Sequence, residues 1–288
     1  MAQSVVSTTL ELLVDGVARG VLFSLLGLGI TLVFGLGGIL NLAIGVFAVI
    51  AVLATVVVLG IVSNIIVALA VSILIVVALG LAVDRSVLSL VYRADPNERE
   101  LLGIFVTLGL SIFIDGFLYM RFPSGYHVPW TPSTVLTAGL AIRSSSIAII
   151  GVGAIVFAAV YVFLDRTYLG SATRTVMQDE TGAKLCGIDP RTIRTLVFVV
   201  SVLIAAIAGL LYSLNFAVRV SSQFDLGIYA VLVSIVGGVT NVTGTVAAGL
   251  FLGILFTFAN AWIGSFVANI VVFLVTVGVL LTKSEALA

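Results

Sequence analysis

The feature that most constrains this chain is where its charges are missing. No Asp, Glu, Lys or Arg stands between Arg19 and Asp84, a gap of 64 residues, between Arg194 and Arg219, 24 residues, or between Asp225 and Lys283, 57 residues. Of the 288 residues 61% are hydrophobic and 9% charged, against about 25% charged in soluble globular chains. A water-soluble domain is therefore excluded. A helix needs about 20 mainly apolar residues to cross the hydrocarbon of a bilayer. The first gap then holds about three spans, the second one and the third between two and three. With the apolar runs 101–120 and 146–164 the total is about eight. The expected fold is all-α: a polytopic transmembrane helical bundle in one transmembrane domain over residues 1–288, embedded in membrane lipid.

Thirteen basic and thirteen acidic residues leave a formal net charge of zero, so no global field draws the chain to nucleic acid. The single cysteine, Cys186, has no second thiol for an internal disulfide or a thiolate metal site. The first fifteen residues lack the basic start and cleavage site of a signal peptide, so the first span is expected to serve as the membrane signal.

The apolar stretches fall at about 17–38, 42–61, 64–83, 101–120, 146–164, 195–216, 227–260 and 264–282. Between them, residues 84–100 carry Arg85, Arg93 and Arg99, and 165–194 carry Arg166, Arg174, Lys184, Arg191 and Arg194. Residues 121–145 carry only Arg121 and Arg143, and 217–226 only Arg219. Eight basic residues against three on alternating sides follow the positive-inside rule. This places 84–100 and 165–194 in the cytoplasm and the N terminus outside. The outer loop holds an interfacial cluster of Tyr126, His127, Pro129, Trp130 and Pro132, in which His127 is read as solvated or bonded to a neighbour. Asp115 is the one carboxylate near membrane depth, and it is expected to pair with Arg121 or reach the headgroups.

An internal similarity is more informative. Gly37-Gly38-Ile39-Leu40-Asn41-Leu42 has a counterpart in Gly237-Gly238-Val239-Thr240-Asn241-Val242, and a further glycine closes each, Gly45 and Gly244. Both blocks should interrupt a helix inside the membrane. Paired Gly-interrupted segments in two halves of a transporter point to a site where unwound backbone supplies polar groups. The eight residues Gly37, Gly38, Asn41, Gly45, Gly237, Gly238, Asn241 and Gly244 are therefore the candidate translocation path. The alternative is that glycines only let helices approach, as Gly16, Gly20 and Ser24, or Gly249 and Gly253, should do at small-xxx-small spacing. Asn241-Val242-Thr243 matches a glycosylation acceptor by chance, since it lies in an apolar stretch.

The loop 165–194 is long and mixed. Ser171 can cap a helix, Gly187 can end one, and Asp189 with Pro190 forms an N-cap and first-turn pair. The helix so bounded carries Ala172, Val176, Ala183 and Leu185 among polar residues, which suits either a groove on a partner protein or a solvated connection.

The order Gly27-Leu28-Gly29-Ile30-Thr31-Leu32-Val33-Phe34-Gly35 with Asn41-Leu42-Ala43-Ile44-Gly45, then Gly170-Ser171-Ala172-Thr173-Arg174 with Ala183, Leu185, Gly187 and Ile188, then Gly237 to Gly244 with Gly249, resembles the inner-membrane permeases of branched-chain amino acid ABC importers. The resemblance runs over about 17–280. It implies that the middle block couples the permease to an ATPase, with Ser171, Ala172, Arg174, Asp179, Glu180, Ala183, Leu185 and Gly187 at that contact. It also implies broken helices around the path, a second related permease as heterodimer partner, and an extracytoplasmic solute-binding protein. The chain departs from the family at Ile44, where a His is usual, and at Thr282-Lys283-Ser284, where an Arg-Pro pair is usual. No Gly-x-x-x-x-Gly-Lys-Ser/Thr phosphate loop occurs, so no cofactor is expected on this chain and ATP is used by a partner subunit. Read this way the protein is a transport subunit and not an enzyme. Competing readings are an ion-coupled secondary transporter, for which only Asp115 offers an intramembrane charge, a permease for urea or amides, and a membrane-embedded enzyme. The last lacks any carboxylate pair, His cluster or nucleophile with a base.

Overall fold

The computed structural model describes residues 2–129, 134–137 and 140–285, so Trp130 and Pro132 of the aromatic cluster lie outside the described residues. Helices α1 (Ala2–Gly37), α2 (Ile44–Leu59) and α3 (Ile65–Val83) come first, and α3 runs on through a π-helical turn at Asp84–Leu88 into a last turn, α4 (Ser89–Val91). Then follow α5 (Pro96–Arg121), a hairpin of β1 (Thr134–Thr137) and β2 (Leu140–Arg143), and α6 (Ser144–Arg166). The chain continues as α7 (Tyr168–Gln178), α8 (Glu180–Leu185), α9 (Pro190–Tyr212), α10 (Ser222–Gly237), α11 (Val242–Ile263) and α12 (Ser265–Glu285).

Among the described residues seven helices are long and apolar enough to cross a membrane, and α2 and α10 are apolar but only 16 residues each. At 1.5 Å per residue such a helix is about 24 Å long, short of a hydrocarbon layer of about 30 Å. The stretch read from the sequence as one run, 227–260, is therefore two elements. Gly238, with φ +97°, ends α10, and the chain turns into α11.

Burial sorts the helices. In their most apolar stretches 83% of α1 and 61% of α9 is buried, against 17% of α5, α6 and α12, so α1 and α9 form the centre and the other three the periphery. Apolar area alone drives little association in lipid, where close backbone approach and hydrogen bonds decide the packing. The α1–α11 seam shows this. Gly16 lies on Ile254, Gly20 on Leu250 and Gly253, and Ser24 on Gly249, with rising numbers on one helix against falling numbers on the other, so the two run antiparallel. A Cβ on Gly20 would sit 2.7 Å from the Leu250 Cα. Ser24 Oγ donates to the Val246 carbonyl at 2.9 Å. The small residues at four-residue spacing are thus one interlocked seam. On the other side of α1, Ser201 of α9 donates to the Gly29 carbonyl at 2.7 Å, and Phe47 of α2 meets Phe198 of α9 edge to face at 6.0 Å.

The two ends of the bundle separate the loops as the basic residues do. Tyr126 and Val218 exchange backbone bonds at 2.8 and 2.6 Å, joining 121–145 to 217–226. Glu11 accepts from the Ala141 N–H at 2.8 Å and Asp15 from Ser146 Oγ at 2.6 Å, which brings the start of α1 to that same end. At the other end Glu180 lies 3.6 Å from Arg99, joining 165–194 to 84–100. His127 is exposed, in keeping with a solvated side chain.

Candidate translocation path and coupling face

The first break begins where α1 ends. Gly35 lies against Met177 of α7, and Gly38, with φ +62°, turns the chain out of the helix while its N–H still bonds the Phe34 carbonyl at 2.8 Å. The unwound residues then run along α5. Leu42 N–H donates to Thr107 Oγ1 at 3.1 Å, and that hydroxyl lies 2.7 Å from the Gly103 carbonyl and 3.3 Å from that of Leu40. Asn41 is buried and its Oδ1 accepts from the Ala43 N–H at 3.1 Å. Freed backbone is thereby paired inside the protein, as low-dielectric surroundings demand. At the start of α2, Gly45 touches the backbone of Gln223 and Gly227 so closely that a Cβ would collide with the Gln223 carbonyl. Gly37 ends α1, and its environment lies outside the described side chains.

Gln223 is a functional candidate that sequence reading missed. It is buried, and its Nε2 donates to Asp115 Oδ1 at 2.6 Å. Asp115 is therefore held by Gln223 of α10 and not by Arg121, one of the two surroundings expected for it. Only the acidic partner stood out in the sequence, since a lone Gln in an amphipathic stretch carries no signal. The Gln223 Oε1 acceptor and the Asn41 Nδ2 donor are buried without a hydrogen-bond partner among the described residues. Gln223 also lines a cavity of about 280 Å³, together with Leu42, Ser111, Gly227 and Phe273.

The second break lies elsewhere. Asn241 caps α11, its Oδ1 accepting from the Gly244 N–H at 3.0 Å and from Thr243 Oγ1 at 2.9 Å, and it is exposed where Asn41 is buried. Gly237 and Gly244 press against each other's backbone across the turn. Thr31 ties this turn to α1 through Ser234 Oγ at 2.9 Å and Thr245 Oγ1 at 2.8 Å. A cavity of about 310 Å³ joins Thr240, Asn241 and Thr243 to Asp165, Arg174 and Met177 of the loop at that end. The two blocks are therefore alike in sequence and different in place. Asn41 and Gly45 lie beside α5 and the start of α10, while Asn241 shares a cavity with Arg174 and Met177 of α7, and Gly237, Gly238 and Gly244 pack within their own turn.

The expected single helix over 171–186 is two. Thr167, not Ser171, caps α7, accepting from the Gly170 N–H at 3.0 Å, and Asp179 breaks the helix and caps α8, accepting from the Thr181 N–H at 2.9 Å. Gly187 ends the arm with φ +79°, as expected. Asp189 with Pro190 starts α9, its carboxylate accepting from the Arg191 and Thr192 N–H groups at 3.1 and 3.3 Å. The Thr192 hydroxyl and these N–H groups hold the Asp189 carboxyl below the usual carboxylate range.

Burial divides the expected coupling residues. Ala172, Val176 and Ala183 face their own bundle and are buried, so an apolar face offered by these three to a partner is corrected. Ser171, Arg174, Asp179, Leu185 and Gly187 face outward, with Leu185 85% exposed. Arg174 pairs with Asp165 at 2.5 Å on the surface. Glu180 turns inward and is shared by Arg194 of α9, Lys184 at 3.0 Å and Arg99 of α5. Arg194 is buried, with its guanidinium carbon 5.0 Å from the Tyr92 ring centroid. Burial raises the Glu180 carboxyl, but Lys184 and Arg194 outweigh it and hold the group below its ordinary value. Among the described residues no group of three or more His, Cys, Asp or Glu could hold a metal ion.

A family described as the branched-chain amino acid transport system permease component matches residues 12–280. The high-affinity branched-chain amino acid transport system permease protein LivH of Salmonella typhimurium is 26% identical over 94% of this chain and 92% of its own length. BraD of Pseudomonas aeruginosa, with the same description, is 27% identical over 95% of this chain and 94% of its own. The ribose import permease protein RbsC of Haemophilus influenzae is 29% identical over 53% of this chain and 54% of its own. No solved structure gives a significant match. The matched region takes in both helix breaks, the α7–α8 arm, five of the seven long apolar helices whole and most of the other two, and the chain accordingly belongs to the branched-chain amino acid transport permease family and is a multi-pass integral membrane permease.

Proposed function

We propose that this chain forms the membrane path of an ATP-driven importer for small zwitterionic amino acids of the branched-chain class. The observation that carries the reading is the unwound segment between α1 and α2. There Asn41 holds a buried amide donor, and Gln223 of α10, which lines a cavity together with Leu42, holds a buried amide acceptor, each without a hydrogen-bond partner among the described residues. A zwitterion presents both kinds of partner, and helix ends with unwound backbone can pass it without resident charges. The outward side of α7 and α8 is the surface on which a separate ATPase subunit acts, with Leu185 as its apolar contact. A second related permease completes the path, and an external solute-binding protein delivers the amino acid. ATP and its hydrolysis belong to the partner subunit, and this chain acts as a transport subunit.

The test is uptake of labelled leucine into vesicles that hold the assembled importer, with ATP supplied on the side of α7 and ion gradients collapsed. Uptake that persists there supports the reading. Uptake that needs a gradient and ignores ATP overturns it in favour of an ion-coupled transporter.

A further inference from the structure

At the end of the bundle that carries the β1–β2 hairpin, two adjoining cavities of about 260 and 320 Å³ share Arg19 and Asn260. The larger is walled by Tyr212, Phe216, Tyr229 and Phe256 and is also lined by Asp225. Arg19 is the last charge before the 64-residue gap. Its guanidinium carbon sits 4.5 Å from the Phe256 ring centroid and 4.9 Å from that of Phe216. Among the described residues it has no carboxylate within ion-pair distance. Asp15, one turn earlier, accepts from Ser146. Asp225 likewise makes no ion pair among the described residues and is exposed.

A guanidinium within a membrane-spanning helix is costly and marks a functional path. Aromatic faces stabilise the cation without using its N–H groups, so the planar fork stays available for bidentate contact with a carboxylate or phosphate. One cavity thus combines a cation with free donors, a carboxylate, an amide and an aromatic wall.

We propose that this cavity is a receiving site for a zwitterion, with Arg19 taking its anionic oxygens, Asp225 and Asn260 its ammonium, and the aromatic wall an apolar side chain. The same chemistry is found in a free α-amino acid and in a phosphatidylethanolamine headgroup. The assignment to the amino acid rests on the function proposed above.

The experiment uses the assembled importer in nanodiscs of phosphatidylcholine and phosphatidylglycerol, and measures binding of labelled L-leucine. Competitors are L-leucinamide, which lacks the carboxylate, 4-methylpentanoate, which lacks the ammonium, and added phosphatidylethanolamine. Arg19→Lys keeps charge and length but loses the fork, and should weaken leucine binding about tenfold, as should Asp225→Asn. Neither leucinamide nor 4-methylpentanoate should displace leucine. Leucine affinity unchanged in both variants overturns the site. Displacement of leucine by phosphatidylethanolamine assigns the cavity to lipid and overturns the amino-acid assignment. Uptake separates this inference from the reading it rests on. Wild-type vesicles that import no branched-chain amino acid on ATP overturn the proposed function, whereas normal import with unchanged KM in Arg19→Lys and Asp225→Asn overturns the receiving site alone.

Discussion

Asn41 and Asn241 occupy matching places in two similar blocks, and the Oδ1 of each accepts from a freed backbone N–H. Their surroundings set different costs for losing it. Asn41→Leu leaves the buried Ala43 N–H without an acceptor, which costs about 1–3 kcal/mol, and Asn241→Leu removes an exposed cap worth about 1 kcal/mol. Thermal unfolding in detergent should show the larger loss for Asn41→Leu, while membrane insertion of both stays near normal. Equal shifts would mean that the first break is solvated and not packed. At Gly45, where a hydrogen is all that fits against the Gln223 carbonyl, alanine forces α2 from α10. Overpacking of that kind costs about 1–3 kcal/mol, and Gly45→Ala should lower Tm and leucine uptake together.

For the elements, the α7–α8 arm separates packing from docking. Ala183 is fully buried and Leu185 is 85% exposed, two residues apart on one short helix. Ala183→Trp should lower the unfolding temperature of the isolated permease. Leu185→Asp should leave that temperature unchanged and reduce the ATPase retained on co-purification several-fold. The opposite pattern would show that the arm docks by a different face. Glu180 pins α8 to α9 and α5 through Arg194 and Arg99. Its carboxyl is held below the ordinary value, so its stabilisation is complete above the unfolded pKa of about 4.3 and is lost as pH falls through the lowered folded value. The wild-type protein should therefore exceed Glu180→Gln in unfolding temperature at pH 7 and converge with it as pH falls below about 4. A difference that does not vary with pH would mean that the carboxylate charge contributes nothing.

Across the whole molecule, the α1–α11 seam connects the end that carries Asp15 to the turn beside α7, so its close packing holds both candidate sites in register. Gly20→Val and Gly253→Val each wedge the same contact, because a Cβ on Gly253 would strike Gly20. Each should destabilise strongly alone, and the double variant should lose less than the sum, since neighbours in contact do not add. Additive losses in a thermal-unfolding cycle would show that the two glycines pack independently.

The sequence by itself determined the all-α membrane class, the sorting of loops to two ends, the helix breaks at Gly38 and Gly238, the small-residue seam and the end of the α7–α8 arm at Gly187. Each of these follows from local chemistry: hydrocarbon admits long uncharged helices, a positive φ favours glycine, and Asp-Pro starts a helix. Tertiary structure alone decided which residues share a site. Burial of Ala172 and Ala183, the pairing of Asp115 with Gln223 across 108 positions, the separation of two look-alike breaks and the aromatic seat of Arg19 depend on neighbours distant in the chain. Backbone propensity is local, but a polar group in a low-dielectric interior takes its partner from whichever helix is packed against it.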